Sequence, residues 1–308
     1  MKILVIGGVA AGTKAAAKWK RENRADQVVL LTKSADISYA GCGLPYYVGG
    51  SIENREELIV NTPQKYRGLT GVEVLTLREA THVDPAAKVV TVQNLENGQE
   101  ETYGYDKLIV ATGASAVKLP LPGVDLNGVF PMRAPEDAIT MRDYLEANGV
   151  KKAVVIGGGF IGLELAENLF DRGIAVTVVE VASQILSGVL DGEMAGYVQR
   201  HLQQKGIRVL TGTKATALVG DGKVEGVQTD AGLLPCGAVV VSAGIRPNTA
   251  FLEDTGIQME KGAIVVDECL ATSVADIYAA GDCALVKNRL TGKAQYSPMG
   301  SSANLEGR

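Results

Sequence analysis

Histidine, tryptophan and cysteine are scarce in this 308-residue chain, which has two, one and four of them, respectively. The cysteines, Cys42, Cys236, Cys269 and Cys283, form no CxxC pair and have no metal-ligand spacing, so we predict no metal site. Four cysteines are also too few for a secreted disulfide scaffold. They therefore predict a reducing, cytoplasmic location.

Long apolar runs and an excess of basic residues are absent too. No segment reaches the ~18 apolar residues that a transmembrane helix needs, and the N-terminus lacks the pattern of a signal peptide. We therefore expect no membrane partner. The formal net charge is −5, which argues against a nucleic-acid partner, because such proteins carry a basic surface.

Glycine, in contrast, is abundant, and it recurs where apolar runs end. Ile3–Ile6 is typical of a buried parallel strand and leads into Gly7–Gly12 (GGVAAG), an alanine-rich helical stretch and a second apolar strand. This order predicts a dinucleotide-binding unit. It departs from the usual pattern at two positions, because Val9 replaces the middle glycine and Thr32 stands where an acidic ribose ligand is expected.

A second unit of the same kind has the complete pattern. Ala153–Ile156 leads into Gly157–Gly162 (GGGFIG), a predicted helix over 163–171 and a strand that ends at Glu180. The three glycines allow a tight turn, close approach of a pyrophosphate and close packing of helix on strand. A carboxylate at Glu180 accepts a hydrogen bond from a ribose 2′-hydroxyl and repels a 2′-phosphate, so we predict NADH binding here.

Cys42 lies in a segment, Ser38–Tyr47 (SYAGCGLPYY), that frames it with glycines. Pro45 suits the first turn of a helix, which places Cys42 at or just before a helix N-terminus. That position favours a thiolate. A buried structural role is the alternative for an isolated cysteine.

Three further apolar strands end in glycine turns. They run into Thr112-Gly113, into Gly244 and into Gly281-Asp282. The similarity of the first two suggests that the chain leaves one domain near Gly113 and returns to it near Gly244, and Pro120–Gly123 has the composition of a linker.

Taken together, these motifs resemble the single-cysteine pyridine nucleotide–disulfide oxidoreductases. The resemblance covers the whole chain. It implies an α/β fold with two Rossmann-like dinucleotide-binding domains of the glutathione-reductase type. It also implies FAD in the first unit, NADH in the second and a redox-active Cys42.

The resemblance also assigns residues to cofactors, one by one. Cys42 is the catalytic residue, Asp282 binds the FAD ribityl chain, and Glu164 lies near the contact of nicotinamide with flavin. The other predicted cofactor-binding residues are Gly7, Gly8, Gly12, Thr32, Thr112, Gly113, Gly157, Gly159, Gly162, Glu180, Gly244, Gly281, Ser302 and Ala303.

The implied activity is transfer of electrons from NADH through FAD and Cys42 to a disulfide, persulfide or polysulfide, such as coenzyme A disulfide. The chain departs from these reductases directly before Cys42, where Gly41 stands in place of the asparagine that they usually have. Two alternatives stay open: an NADH oxidase that uses a Cys42 sulfenic acid, or a flavin- and nucleotide-binding fragment with little turnover.

The resemblance divides the chain into three parts. Residues 1–118 and 244–308 form the FAD-binding domain, and residues 119–243 form the NADH-binding domain. Family members continue into a C-terminal dimerisation domain. We expect it to be absent here and full-length relatives to be homodimers.

Overall fold

The computed structural model describes residues 1–308 as two compact units. The first unit comprises Met1–Tyr39, Ile59–Ser115 and Arg246–Arg308, and the second comprises Ala40–Leu58 and Ala116–Ile245. None of the helices combines the length and the apolar character that crossing a membrane requires.

The chain forms seven α-helices: α1 (Ala10–Glu22), α2 (Leu44–Gly49), α3 (Pro63–Thr70), α4 (Pro135–Ala147), α5 (Phe160–Asp171), α6 (Gly192–Lys205) and α7 (Gly300–Glu306). Three short 3₁₀ helices accompany them, at Gly41–Gly43, Arg55–Leu58 and Ala250–Leu252.

The strands are β1 (Lys2–Ile6), β2 (Gln27–Leu31), β3 (Glu73–Leu75), β4 (Arg78–Asp84), β5 (Val89–Asn94), β6 (Glu100–Gly104), β7 (Lys107–Val110), β8 (Ala114–Ala116), β9 (Val129–Phe130), β10 (Lys152–Ile156), β11 (Ala175–Val179), β12 (Arg208–Leu210), β13 (Ala215–Val219), β14 (Gly226–Thr229), β15 (Gly232–Pro235), β16 (Ala238–Val241), β17 (Ile245–Pro247), β18 (Met259–Glu260), β19 (Ala263–Val265), β20 (Ile277–Ala279), β21 (Ala284–Lys287) and β22 (Ala294–Gln295).

The first unit is built on a parallel sheet in the order β20-β7-β1-β2-β3. Ile3 and Val5 pack with α1 on one face, whereas Leu4 and Ile6 pack on the other. The strands are continuous apolar runs because both faces are buried. An antiparallel sheet β4-β5-β6 and a mixed sheet β18-β19-β21-β22 complete this unit.

The second unit repeats the arrangement with a parallel sheet in the order β12-β11-β10-β16-β9. A three-stranded antiparallel sheet, β13-β14-β15, packs its apolar side with Val154, Ile156 and Val239. In each sheet the strand before the glycine turn lies between the next strand of the chain and a later one: β1 lies between β2 and β7, and β10 lies between β11 and β16. The glycine turn therefore falls at the switch point of the sheet, where ligands of such folds bind. Strands β8 and β17 pair where the chain passes from one unit to the other and back.

The division into units follows the predicted domain limits to within three residues, with one exception. Residues 40–58, which the prediction includes in the first domain, group with the second unit. The reason is that α2 packs against α4 and α5. The limits at 118/119 and 243/244 remain a proposal about which cofactor each part binds.

Candidate cofactor sites and the Cys42 turn

The first glycine turn, Gly7–Gly12, connects β1 to α1. A Cβ atom on Gly7 would lie 2.0 Å from the Ala111 carbonyl oxygen, and one on Gly12 would lie 1.9 Å from the Gly7 carbonyl oxygen. Only glycine therefore fits either position. The N-cap residue of α1, Val9, makes no side-chain cap, so the first N–H groups of the helix are the kind of donors that bind a diphosphate.

The other residues predicted for FAD lie around this turn. Thr32 is buried against Gly8, and a Cβ atom on Gly281 would lie 3.0 Å from the Ala11 Cβ and 3.6 Å from the Ala303 Cβ. Asp282 follows Gly281 and is half-buried. Ser302, in the first turn of α7, shares a hydrogen bond of 3.0 Å with the hydroxyl of Ser297. The structure thus brings these predicted residues together within the first unit.

Thr112 and Gly113 meet a residue that the sequence analysis did not assign to the site. The Thr112 hydroxyl donates to the Asn248 carbonyl oxygen at 2.7 Å, and the Asn248 side-chain amide donates to the Thr112 carbonyl oxygen at 3.1 Å. The Asn248 N–H also donates to the Gly113 carbonyl oxygen. The sequence does contain a signal for Asn248, which lies four residues after Gly244, in the motif where the chain returns to the first unit.

Glu306 is a second residue that sequence analysis missed. Its carboxylate accepts the N–H of Gly281 at 2.6 Å, and burial raises the pKa of this carboxyl. It therefore stabilises the turn that precedes Asp282, where Gly281 has a φ of +81°. The sequence around Glu306 contains no motif that predicts this contact.

The second glycine turn, Gly157–Gly162, connects β10 to α5. A Cβ atom on Gly162 would lie 2.1 Å from the Gly157 carbonyl oxygen, whereas one on Gly159 would have no heavy atom within 4 Å. Gly159 is the N-cap of α5 and makes no side-chain cap. The turn thus combines close packing at its ends with open space at Gly159 and the N-terminus of α5, which fits a pyrophosphate.

Glu180 lies beside this turn, as the spacing predicts. One carboxylate oxygen accepts the N–H of Gly158 at 2.7 Å and the other accepts the N–H of Ala182 at 2.7 Å. A carboxylate has about four acceptor positions, so it retains capacity for ribose hydroxyls.

Two further predicted cofactor-binding residues lie outside the second glycine turn: Glu164 in α5 and Gly244 between β16 and β17. Glu164, in the second turn of α5, is half-buried, and burial together with the nearby Glu167 raises the pKa of its carboxyl. Gly244 is exposed, has a φ of +102° and has no atom within 4 Å of a Cβ position. Its carbonyl oxygen accepts the N–H of Val117 at 3.0 Å.

Cys42 lies in the 3₁₀ helix Gly41–Gly43, directly before α2, and its side chain is exposed. Pro45 occupies the first turn of α2, as predicted. Cys236 and Cys283 are buried, and burial raises the pKa of the Cys236 thiol to about 11 and that of Cys283 in the same direction. Cys269 is exposed but lies in no glycine-framed helix start. Cys42 alone therefore combines exposure with a helix start.

Comparisons with known proteins agree with this arrangement. The model of the pyridine nucleotide-disulphide oxidoreductase family matches residues 1–299. An NADH oxidase of Methanocaldococcus jannaschii is 38% identical over 309 residues, covering 100% of this chain and 68% of the relative. The CoA-dependent NAD(P)H sulfur oxidoreductase of Pyrococcus furiosus is 35% identical, over 99% of this chain and 68% of the relative.

Among solved structures, an NAD-dependent persulfide reductase from A. fulgidus superposes with a TM-score of 0.96 at 37% identity. The match covers 100% of this chain but 58% of that structure, so the chain spans little more than half of it. The predicted α/β fold and the predicted enzyme class are confirmed, and the match agrees with the predicted cofactors, FAD and NADH. The chain belongs to the pyridine nucleotide-disulphide oxidoreductase family.

Proposed function

We propose that this chain is an FAD-dependent oxidoreductase that uses NADH to reduce a small disulfide, persulfide or polysulfide held on Cys42. The observation that supports this most strongly is the exposed Cys42 thiol in a glycine-framed turn at the start of α2. It belongs to the same unit as the second glycine turn.

The proposal assigns FAD to the first glycine turn, with Gly281 and Asp282 nearby, and NADH to the second glycine turn with Glu180. Bound FAD would supply the two-electron chemistry that links NADH to a sulfur–sulfur bond. The protein's part is to present N–H donors to both diphosphates and to exclude a 2′-phosphate at Glu180.

Cys42 performs the sulfur chemistry. Its thiolate attacks one sulfur of the substrate disulfide, forms a mixed disulfide and releases the other half as a thiolate. Two electrons and a proton then cleave the mixed disulfide, which restores the Cys42 thiolate and releases the second thiol. One NADH and one proton thus convert one disulfide into two thiols.

Coenzyme A disulfide is the substrate we favour within this class, since the relative from Pyrococcus furiosus is named as CoA-dependent. No heavy atom lies within 4 Å of a Cβ position on Gly41. A bulky thiol therefore meets little steric hindrance from Gly41 next to Cys42. The four free cysteines support a reducing, cytoplasmic location.

The second candidate function is NADH oxidation, because the relative from Methanocaldococcus jannaschii bears that name. There Cys42 would cycle between thiolate and sulfenic acid, with oxygen as the electron acceptor. Oxygen consumption in the absence of any disulfide distinguishes the two candidates. A chain that binds both cofactors but turns over with neither acceptor would support the third alternative, a binding fragment.

The test is Cys42→Ser with Cys269→Ser as the matched control, since Cys269 is the other exposed cysteine. We expect Cys42→Ser to reduce NADH-dependent disulfide reduction on the order of 10³-fold, because the nucleophile is lost. NADH-dependent reduction of an artificial dye should stay within about twofold of wild type, since it needs no thiol. Cys42→Ser that retains disulfide reduction at the level of Cys269→Ser would contradict the proposal.

A further inference from the structure

Helix α2, which follows the Cys42 turn, ends against an arginine of α4. The Nη1 atom of Arg142 donates to the carbonyl oxygens of Tyr47 at 3.3 Å, Ile52 at 3.2 Å and Glu53 at 3.0 Å. The same guanidinium lies 4.7 Å above the centre of the Tyr47 ring, whose side chain is buried. One arginine therefore bonds both the last turn of α2 and the loop after it.

A second arginine, at the end of α5, bonds the same helix. The Nη1 atom of Arg172 donates to the Val48 carbonyl oxygen at 2.7 Å. Its Nη2 atom lies 2.8 Å from Glu146, whose carboxylate also lies 3.4 Å from Nε of Arg142. Hydrogen bonds from Arg172 and then Arg142 lower the pKa of Glu146, so it is ionised at neutral pH. We call Arg142, Glu146 and Arg172 the arginine cluster.

These contacts matter because α2 has only six residues. Helices so short are marginal on their own and depend on tertiary contacts. The last four carbonyl groups of a helix lack intrahelical partners, and positive charge near them is favourable. The guanidinium groups of Arg142 and Arg172 supply hydrogen-bond donors and positive charge to these carbonyl groups, through charge-assisted hydrogen bonds.

Helix α2 lies so close to α5 that position 49 has no room for a side chain larger than that of glycine. A Cβ atom on Gly49 would lie 2.3 Å from the side-chain oxygen of Asn168, which is buried. The Asn168 side-chain nitrogen donates to the Glu164 carbonyl oxygen, which orients the amide. Helix α2 therefore has a defined position on α5, the helix that begins at the second glycine turn.

We propose that the arginine cluster positions Cys42 for reaction with its substrate, an inference that rests on the proposed function of Cys42. The 3₁₀ helix that carries Cys42 continues directly into α2, so loss of order in α2 changes the direction of the thiol. Arg142 and Arg172 are positioning residues in this scheme, not catalytic ones. Small displacements of a reacting group reduce rates substantially.

The test compares variants of the FAD-loaded protein. The double variant Arg142→Met, Arg172→Met removes both guanidinium groups with similar side-chain bulk, whereas Arg142→Lys keeps a cation with three N–H donors. Arg200→Met, on the exposed side of α6, is the matched control. The first readout compares kcat for disulfide reduction with NADH-dependent reduction of a dye. The second is the rate at which iodoacetamide alkylates Cys42 and Cys269, measured by peptide mass spectrometry.

We expect the double variant to lose about tenfold or more in kcat for disulfide reduction. NADH-to-dye activity should change by less than about twofold, since those steps do not use Cys42. The alkylation rate of Cys42 should change at least threefold while that of Cys269 stays constant. Arg142→Lys should keep most of the wild-type kcat that the double variant loses, and Arg200→Met should match wild type.

Wild-type kcat and wild-type Cys42 alkylation in the double variant would overturn the inference. A parallel fall of dye activity and disulfide reduction would also overturn it, because that result indicates a general structural role. Failure of the proposed function gives a different pattern, in which Cys42→Ser itself keeps disulfide reduction. Amide exchange of residues 46–52 adds a readout that needs no activity, and unchanged protection in the double variant would contradict the role of the cluster.

Discussion

The first and second glycine turns share their backbone contacts. The Gly7 N–H donates to the Leu31 carbonyl oxygen at 2.8 Å, and the Gly157 N–H donates to the Val179 carbonyl oxygen at 2.9 Å. In both turns the last glycine lies against the carbonyl of the first, with no room for a Cβ atom. These shared features are requirements of the strand-to-helix connection itself.

Two differences between the units concern the middle of the turn and the end of the next strand. Val9 occupies the place of Gly159, and Thr32 the place of Glu180. In the first turn the Thr32 hydroxyl accepts only a long hydrogen bond, 3.4 Å, from the N–H of Ser34. In the second unit, the Glu180 carboxylate accepts two hydrogen bonds of 2.7 Å. The comparison teaches that the end glycines serve the fold, whereas the middle position and the strand end can differ between the two units without changing it.

The largest effect is expected when the last glycine and the middle glycine of the second turn are each replaced by alanine. Gly162→Ala should lower the free energy of unfolding by about 3 kcal/mol or more, because its Cβ would clash with backbone oxygen at 2.1 Å. Gly159→Ala should change it by less than about 0.5 kcal/mol, since space is open there, yet weaken NADH binding. Denaturant unfolding and NADH titration measure both. Equal destabilisation by the two variants would refute the distinction.

The next effect concerns Glu180. Glu180→Thr gives the second turn the residue of the first and removes two charge-assisted hydrogen bonds to backbone N–H groups. We expect the KM for NADH to rise about tenfold or more, and the preference for NADH over NADPH to disappear. Steady-state kinetics with both coenzymes check this. Retention of the full NADH preference in Glu180→Thr would show that another residue determines it.

The smallest effect comes from the reciprocal change, Thr32→Glu. A carboxylate at the end of β2 should accept the N–H groups of the first turn and a ribose hydroxyl, so FAD should bind about threefold to tenfold more tightly. Flavin fluorescence titration of the apoprotein measures the dissociation constant, with Thr32→Gln as the uncharged control of equal length. Weaker binding of FAD by Thr32→Glu than by Thr32→Gln would argue against equivalence of the two turns.

Local sequence patterns predicted the parts of each site that depend on neighbouring residues. GGGFIG, the strand before it and the helix after it appear where predicted, although α5 begins at Phe160 rather than at 163. The helix start after Cys42 follows from Gly43 and Pro45 for the same reason. Such features arise from backbone conformation and hydrophobic runs, which a single stretch of sequence contains.

Contacts between distant residues were not predictable in this way. Residues 40–58 join the second unit through Arg142 and Arg172, which lie about a hundred positions away in the chain. Likewise, the bond of Glu306 to the Gly281 N–H involves a surface-type residue with no local motif. Each depends on which elements the topology brings together, and charged residues on helix surfaces do not signal such partners.

The most direct test of the central claim is the mass of the Cys42 peptide after reaction with the disulfide. The FAD-loaded protein, with its thiols reduced and its flavin oxidised, is mixed with one equivalent of coenzyme A disulfide without NADH, so that no electrons cleave a mixed disulfide, and is quenched in acid, which stops thiol exchange. We predict a mixed disulfide on Cys42, with Cys269 in the same sample remaining an unmodified thiol. Disulfide consumption without any adduct on Cys42, or with the adduct on Cys269, would contradict the account.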